Sequence, residues 1–200
     1  FVVAGSRETG TGHAYRVMSL AQGLVGHDLR FLCMPGSELA ADLLRASRYR
    51  PVQLAASNMP GQVLSCKPDI IVNDILDTEE EFVGALQETG AFVCNLEDEG
   101  PGADVADLVI NALYRSRLAA PHVHSGEPYF CLRNEFRASR PHEIRDEVKN
   151  VLLSFGGTDP ADLTRRCLDA IDDVCAQRGI GIAIITGFGY AHAQALAERV

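Results

Sequence analysis

Short apolar runs alternate with helical stretches along most of this chain, and that alternation leaves few folds open. Phe1 to Gly5 is β-prone, and a glycine loop follows. His13 to Val25 then carries apolar residues three or four apart: Ala14, Val17, Met18, Ala21, Leu24 and Val25. Leu29 to Met34 is the next strand, closed by Pro35-Gly36. Ser37 is placed to cap a helix through Ala46, and Pro51 to Leu54 is a weaker strand. Asp69 to Val72, Ala91 to Leu96 and Asp107 to Ala112 are three more. Asp77 or Thr78 caps a helix between the first two, with Phe82, Val83 and Leu86 on one face and Glu79 to Glu81 at the positive end of its dipole. Such a β-α-β-α order implies a mostly parallel sheet with helices on both faces.

The pattern breaks over residues 113–147, where Pro121, Gly126, Pro128, Pro141 and many charges read as irregular chain. It resumes with a strand over Val148 to Phe155 and a helix from Pro160 to about Gln177. The apolar face of that helix is Leu163, Cys167, Leu168, Ile171, Val174 and Cys175. A strand over Ile180 to Thr186 and a helical pattern from Tyr190 to Val200 follow. Residues 1–140 are therefore expected to form one Rossmann-like α/β domain, and residues 148–200 the start of a second. About fifty residues are too few to cover both faces of a doubly wound sheet. The second domain is expected to be incomplete, with a bare apolar face that favours self-association. Phe1 already reads as strand without an initiator Met, so residues are expected before it.

Charge narrows the partners. There are 27 acidic against 18 basic residues, a net charge of −9 and a pI near 5.1. That balance argues against nucleic acid, whose phosphates call for a basic patch. A small anionic ligand remains compatible, because a helix N-terminus binds phosphate without net positive charge. No run approaches the ~20 apolar residues of a membrane span, and no secretory leader is readable, so a cytoplasmic location is expected. Cys33, Cys66, Cys94, Cys131, Cys167 and Cys175 form no C-x-x-C pair and read as buried, reduced thiols.

Chemistry concentrates at two glycine loops. Gly10-Thr11-Gly12-His13-Ala14-Tyr15-Arg16 joins a strand to a helix, at the sheet edge where parallel folds bind ligands. It is neither the dinucleotide fingerprint, since Tyr15 stands at the third glycine, nor a Walker loop. His13 falls in the first turn, where the dipole disfavours imidazolium, as a general base requires. It is equally suited to capping the helix or packing between domains. Arg16, one turn on, is placed for an anionic ligand or an internal carboxylate. Phe155-Gly156-Gly157-Thr158-Asp159-Pro160 is the second loop, with Pro160 at the first helical position and Asp159 or Thr158 as cap. Its paired glycines are either turn chemistry or room for a sugar or phosphate. Asn73-Asp74 and Glu97-Asp98 end two strands, as sugar-hydroxyl ligands, as orienters of His13, or as caps. His122 and His124 alone are a weak metal signal, and no metal or cofactor is expected.

Taken together these residues resemble a family. Gly10-x-Gly12-His13-x-x-Arg16, with Leu20-Ala21 a turn later, looks like the opening motif of PseG/SpsG-type proteins, which include the nucleotide-sugar hydrolase of the pseudaminic acid pathway and spore-coat polysaccharide proteins. Asp74 and Asp98 follow apolar strands in the same order. Asp107-Leu108-Val109-Ile110-Asn111 is similar to the family's D-L-L-L-N strand, and Tyr129 to Phe136 to its Y-x-L-L-R-x-E-F segment. Leu153 to Pro160 is similar to its S-F-G-G-x-D-P loop. The resemblance implies a GT-B-like pair of Rossmann-type domains with the ligand in the cleft between them. It implies that His13 activates water to displace the nucleotide from a sugar's anomeric carbon, without a metal. Gly10, Gly12, Arg16, Asp74, Asp98, Asn111, Gly156, Gly157 and Thr158 become the expected substrate-binding set, and the main nucleotide contacts are implied beyond Val200.

Two stretches depart from the hydrolase branch. Ile75-Leu76 stand where that branch has a Tyr. Residues 73–78 and 96–103 look more like a subgroup attached to a CMP-sugar synthetase-like domain. The expected substrate is therefore a UDP- or CMP-linked sugar, with a cytidylyltransferase as partner or fusion. Three readings stay open: an NDP-sugar hydrolase, a glycosyltransferase using the same base on a sugar hydroxyl, and a non-catalytic nucleotide-sugar-binding module.

Overall fold

The computed structural model describes residues 1–113, 115–116, 118–139 and 146–199. Pro141, the expected domain boundary at 140 and the helical reading at Val200 lie outside the described residues. The chain divides into two compact units. One is Phe1–Ser6 with Gly12–Arg137, the other Arg7–Thr11 with Ala138–Val200.

The first unit is a parallel seven-stranded sheet. Its strands are β1 (Val2–Val3), β2 (Leu32–Cys33), β3 (Val52–Gln53), β4 (Ile70–Asp74), β5 (Phe92–Leu96), β6 (Leu108–Asn111) and β7 (Val123–Ser125), in the spatial order β3-β2-β1-β4-β5-β6-β7. The helices are α1 (Gly12–Gly23), α2 (Glu38–Ala46), α3 (Met59–Leu64), α4 (Glu80–Gln87) and α5 (Asn134–Arg137). Neighbouring strand residues face opposite sides, so Val2 and Val3 feed two different cores. Val2 joins Leu32, Ile71, Val93 and Val109 against Val63 of α3 and Val83 and Leu86 of α4. Val3 joins Phe31 and Cys33 against Ala14 and Val17 of α1 and Ala40 and Leu44 of α2. Each fully buried Val or Leu is worth about 1.5–3 kcal/mol, which makes these two layers the main driving force for the sheet. Helices therefore do cover both faces, as the alternation predicts.

Strand β1 pairs with β2 on one side and with β4 on the other. The chain leaves β1 toward β2 and β3, then returns to start β4, so the strand order reverses between β1 and β4. Ligands of open parallel sheets sit outside the carboxyl ends of the strands at such a reversal. His13 opens the helix that follows β1, and Asp74 is the last residue of β4.

Several local expectations change. Helix α1 stops at Gly23, two residues before Val25, because Gly23 and the left-handed Gly26 do not continue it. Ser37 makes no side-chain cap bond to α2; its hydroxyl accepts the Gly5 amide at 3.1 Å instead. Helix α4 starts after Glu79, and Thr78, expected as a cap, donates its hydroxyl to Asp98 at 2.6 Å. Residues 113–147, read as irregular, contain β7, a 3-10 turn at Glu127–Tyr129 and α5.

In the second unit β8 (Asn150–Ser154) and β9 (Gly181–Ile185) pair in parallel, with α6 (Leu163–Arg178) and α7 (Ala193–Ala197). Leu153, Leu168, Tyr190 and Leu196 form its core, while Leu152 and Ile185 on the other sheet face are exposed, the bare face the sequence predicts. Helix α6 begins at Leu163 rather than Pro160. Asp159 adopts a left-handed backbone (φ 42°), and the chain makes one more turn before the helix. The Asp159 carboxylate still accepts the amides of Leu163 and Thr164, each at 2.8 Å. Leu163 and Val174, placed on the apolar face by periodicity, are exposed; Thr164, Leu168 and Cys175 are buried. Arg7 donates to the Gly189 carbonyl at 3.0 Å. Any side chain at Gly157 would strike the Thr11 hydroxyl, and one at Gly187 would strike the Gly157 backbone, so these glycines permit close approach of three loops.

Among the described residues, no helix is long and apolar enough to cross a membrane.

Candidate active site

His13 is the second residue of α1, and Asp74 is the last residue of β4. The register that pairs Val3 with Asp74 carries the Asp74 carboxylate to the face that α1 covers. There His13 Nδ1 lies 2.6 Å from Asp74 Oδ1. Arg16, three residues along the same helix, grips the same carboxylate with two nitrogens: Nε to Oδ2 at 2.8 Å and Nη2 to Oδ1 at 2.6 Å. Its remaining nitrogen, Nη1, donates to Glu97 Oε1 at 3.1 Å. His13, Asp74 and Glu97 are 7%, 0% and 8% exposed, so these contacts act with little solvent screening.

The protonation pattern follows from the donor inventory. A carboxylate only accepts, so Nδ1 carries the proton it shares with Asp74. Arg16 Nη2 approaches Nδ1 to 3.4 Å; two donors cannot bond one another, and both converge on Oδ1. Among the described residues nothing bonds His13 Nε2. With Nδ1 committed to Asp74, Nε2 is the ring nitrogen left open, and in the neutral ring it is the acceptor. Burial opposes the charge on Arg16, but the hydrogen bonds and charge of Asp74, with that of Glu97, outweigh it and hold the guanidinium above its usual pKa.

Glu97 and Asp98 diverge. Glu97 has a left-handed backbone (φ 53°). Its carboxylate faces Arg16 and also accepts the amides of Ala112 and Leu113 at 3.0–3.2 Å. Asp98 instead accepts from the Thr78 amide and hydroxyl, Asn95 Nδ2 and the Gly100 amide, at 2.6–3.0 Å. Asn111 closes this second network: it accepts the Asp98 amide and donates to the Asp98 carbonyl and Glu99, at 2.9–3.0 Å. The structure thus brings His13, Arg16 and Asp74 together, and turns Asp98 and Asn111 into a separate buried network. Glu97, absent from the expected binding set, is the second carboxylate that meets Arg16, beside Asp74. The signal for it was its place beside Asp98 at a strand end.

Gly10 has φ 84° and Gly12 opens α1. Gly156 has φ 77°, Gly157 packs on Thr11, and Thr158 is buried. The amides opening α6 are taken by Asp159, so an anion there would have to displace a carboxylate. The Tyr129-to-Phe136 motif straps α1: Arg133 lies 5.6 Å over the Tyr15 ring, and Asn134 donates to Gln22.

Two of the cavities in the first unit are lined by expected site residues or their neighbours, and His13 lines neither. One, about 450 Å³, is walled by the Asp98–Asp104 turn with Ser116 and Leu118. The other, about 400 Å³, lies against Val72, Cys94, Leu96 and Ile110 and reaches Arg16 and Glu97. Burial raises the Cys33 thiol to about 11 and, aided by the Asp74 charge, Cys94 to about 12, which leaves both inert. Cys66 is exposed, against expectation. His122 bonds the Ala103 carbonyl and His124 the Tyr129 hydroxyl. No group of three or more His, Cys, Asp or Glu among the described residues could hold a metal ion.

No family profile matches the chain. It is distantly homologous to the spore coat polysaccharide biosynthesis protein SpsG of Bacillus subtilis, 27% identical over 98% of this chain and 61% of that protein. It is also 26% identical to an uncharacterised protein of Methanocaldococcus jannaschii, over 93% of this chain and 42% of that protein. The chain thus spans about two fifths to three fifths of the curated relatives it matches.

Proposed function

From distant homology to a spore coat polysaccharide biosynthesis protein, we propose that this chain carries the catalytic base of a nucleotide-sugar hydrolase in polysaccharide biosynthesis. The observation that carries the reading is His13, fixed through Nδ1 by buried Asp74 at the reversal of strand order. Nε2 takes a proton from water. The water oxygen bonds to the anomeric carbon of a UDP- or CMP-linked sugar as the bond from that carbon to the phosphate oxygen breaks. The electron pair leaves with the nucleotide, and the sugar is released with a free anomeric hydroxyl. Asp74 keeps the imidazole in one tautomer and balances the imidazolium that forms, as an orienting carboxylate does in hydrolytic triads. Arg16 is spent on Asp74 and Glu97, and it acts on the base rather than on the ligand. Asp98 and Asn111 hold the loop behind it.

The test is turnover of a panel of UDP- and CMP-linked sugars by the full-length protein, with and without sugar acceptors. His13→Asn should keep substrate binding and lower turnover by roughly 10²–10⁴-fold, the usual contribution of a general base. Equal turnover in both proteins would remove His13 from the role. Release only when an acceptor hydroxyl is added would make the reaction glycosyl transfer.

A further inference from the structure

Glu97 directly follows β5 and has a left-handed backbone, a conformation rare for a residue with a side chain. Something must hold it, and two sets of bonds do. Behind it, the Asp98 amide is caught by Asn111 and the Asp98 carboxylate by Thr78, Asn95 and Gly100. Ahead of it, the Glu97 carboxylate is pinned by the amides of Ala112 and Leu113 at the end of β6. Glu97 Oε1 is thereby a fixed point, nearly out of solvent, from which Arg16 Nη1 hangs at 3.1 Å. A guanidinium is planar. Once Nη1 is tied to Glu97, the edge formed by Nε and Nη2 is set in place, and that edge is what grips Asp74. The plane of the Asp74 carboxylate decides whether Oδ1 meets His13 Nδ1.

From this chain of contacts we propose that Glu97 is a positioning residue for His13, acting through Arg16 and Asp74 to hold the imidazole as its Nδ1–H tautomer. The proposal rests on the reading of His13 as the base. Its readout, however, needs no substrate. Glu97→Gln keeps an acceptor for the Ala112 and Leu113 amides and removes the charge facing Arg16. Arg16→Lys keeps the charge on the helix but cannot span both carboxylates with a fork.

The experiment is nitrogen NMR of histidine-labelled full-length protein, with the His13 pair identified by its loss in His13→Asn. In the unaltered protein His13 should show a protonated Nδ1 and a bare Nε2. E97Q should lose that single form and show a mixture of tautomers, and R16K should do the same. The E97Q/R16K double variant should be no worse than R16K alone, since both changes cut one path. A single Nδ1–H form persisting in E97Q while R16K abolishes it would overturn the proposal, and so would full addition of the two effects. Should E97Q not fold, Glu97→Asp withdraws the carboxylate from Arg16 by one methylene; the Nδ1–H form must weaken there too, and its persistence would overturn the proposal. If turnover proves independent of His13 while E97Q still scrambles its tautomer, the base assignment fails and the role of Glu97 in holding the ring stands.

Discussion

Asp74 carries two loads at once, because its carboxylate accepts from His13 and from two nitrogens of Arg16. The two loads separate on mutation. Asp74→Asn takes the bidentate charge partner from a largely buried guanidinium and leaves it Glu97 alone, and breaking a buried pair from one side typically costs about 3–5 kcal/mol. His13→Asn removes no charge partner of Arg16 and should leave the urea midpoint nearly unchanged. Urea unfolding of both variants checks this; a midpoint loss in H13N as large as in D74N would mean that the histidine is a structural member of the cluster. At this scale the sequence was legible where a motif fixes geometry. A glycine loop opening a helix set His13, and an apolar strand ending in Asp set Asp74. Which of Glu97 and Asp98 meets Arg16 was not legible, because it turns on one left-handed backbone at Glu97. Left-handed glutamate is uncommon enough that no spacing rule predicts it.

Elements follow the same division. Strands β4, β5 and β6 were readable as apolar runs. Strand β7 was not, since Val123-His124-Ser125 offers a single apolar residue. Helix α3 was also hidden: six residues long, it holds Pro60 and Gly61 and is capped by a left-handed Asn58. Helix α6 was found but begins late, and its first amides hang on Asp159. Burial pushes that carboxyl up, yet the bonds from Thr164 and Leu163 outweigh burial and hold it below the usual range. A carboxylate with a depressed folded pKa contributes stability above its unfolded value, about 3.9, and that stability is lost as pH falls through the folded pKa. Asp159→Ala should therefore lower stability at pH 7 by about 1 kcal/mol, as loss of a helix cap does. The gap should shrink as pH drops below about 4. Thermal melts of both proteins from pH 7 to pH 3 test it; a gap constant with pH would show that the carboxylate charge is not what holds the helix.

For the whole molecule, the alternation of strands and helices foretold an α/β architecture of parallel sheets, seen as a large sheet and a smaller one. It did not foretell that Arg7–Thr11 packs in the second unit, because that depends on contacts far apart in sequence, such as Thr11 with Gly157 and Arg7 with Gly189. The acidic net charge of −9 is compatible with the proposed function, in which a fixed base and a buried ion cluster act rather than a broad basic surface. In the proposed function, His13 directs water to the anomeric carbon. The direct measurement is turnover of UDP- and CMP-linked sugars by the full-length protein in ¹⁸O-labelled water, with mass analysis of the released nucleotide and His13→Asn run alongside. Attack at carbon leaves the nucleotide unlabelled, and H13N should release it roughly 10²–10⁴-fold more slowly. Label on the nucleotide phosphate would place the attack at phosphorus, and equal release by H13N would remove His13 as the base.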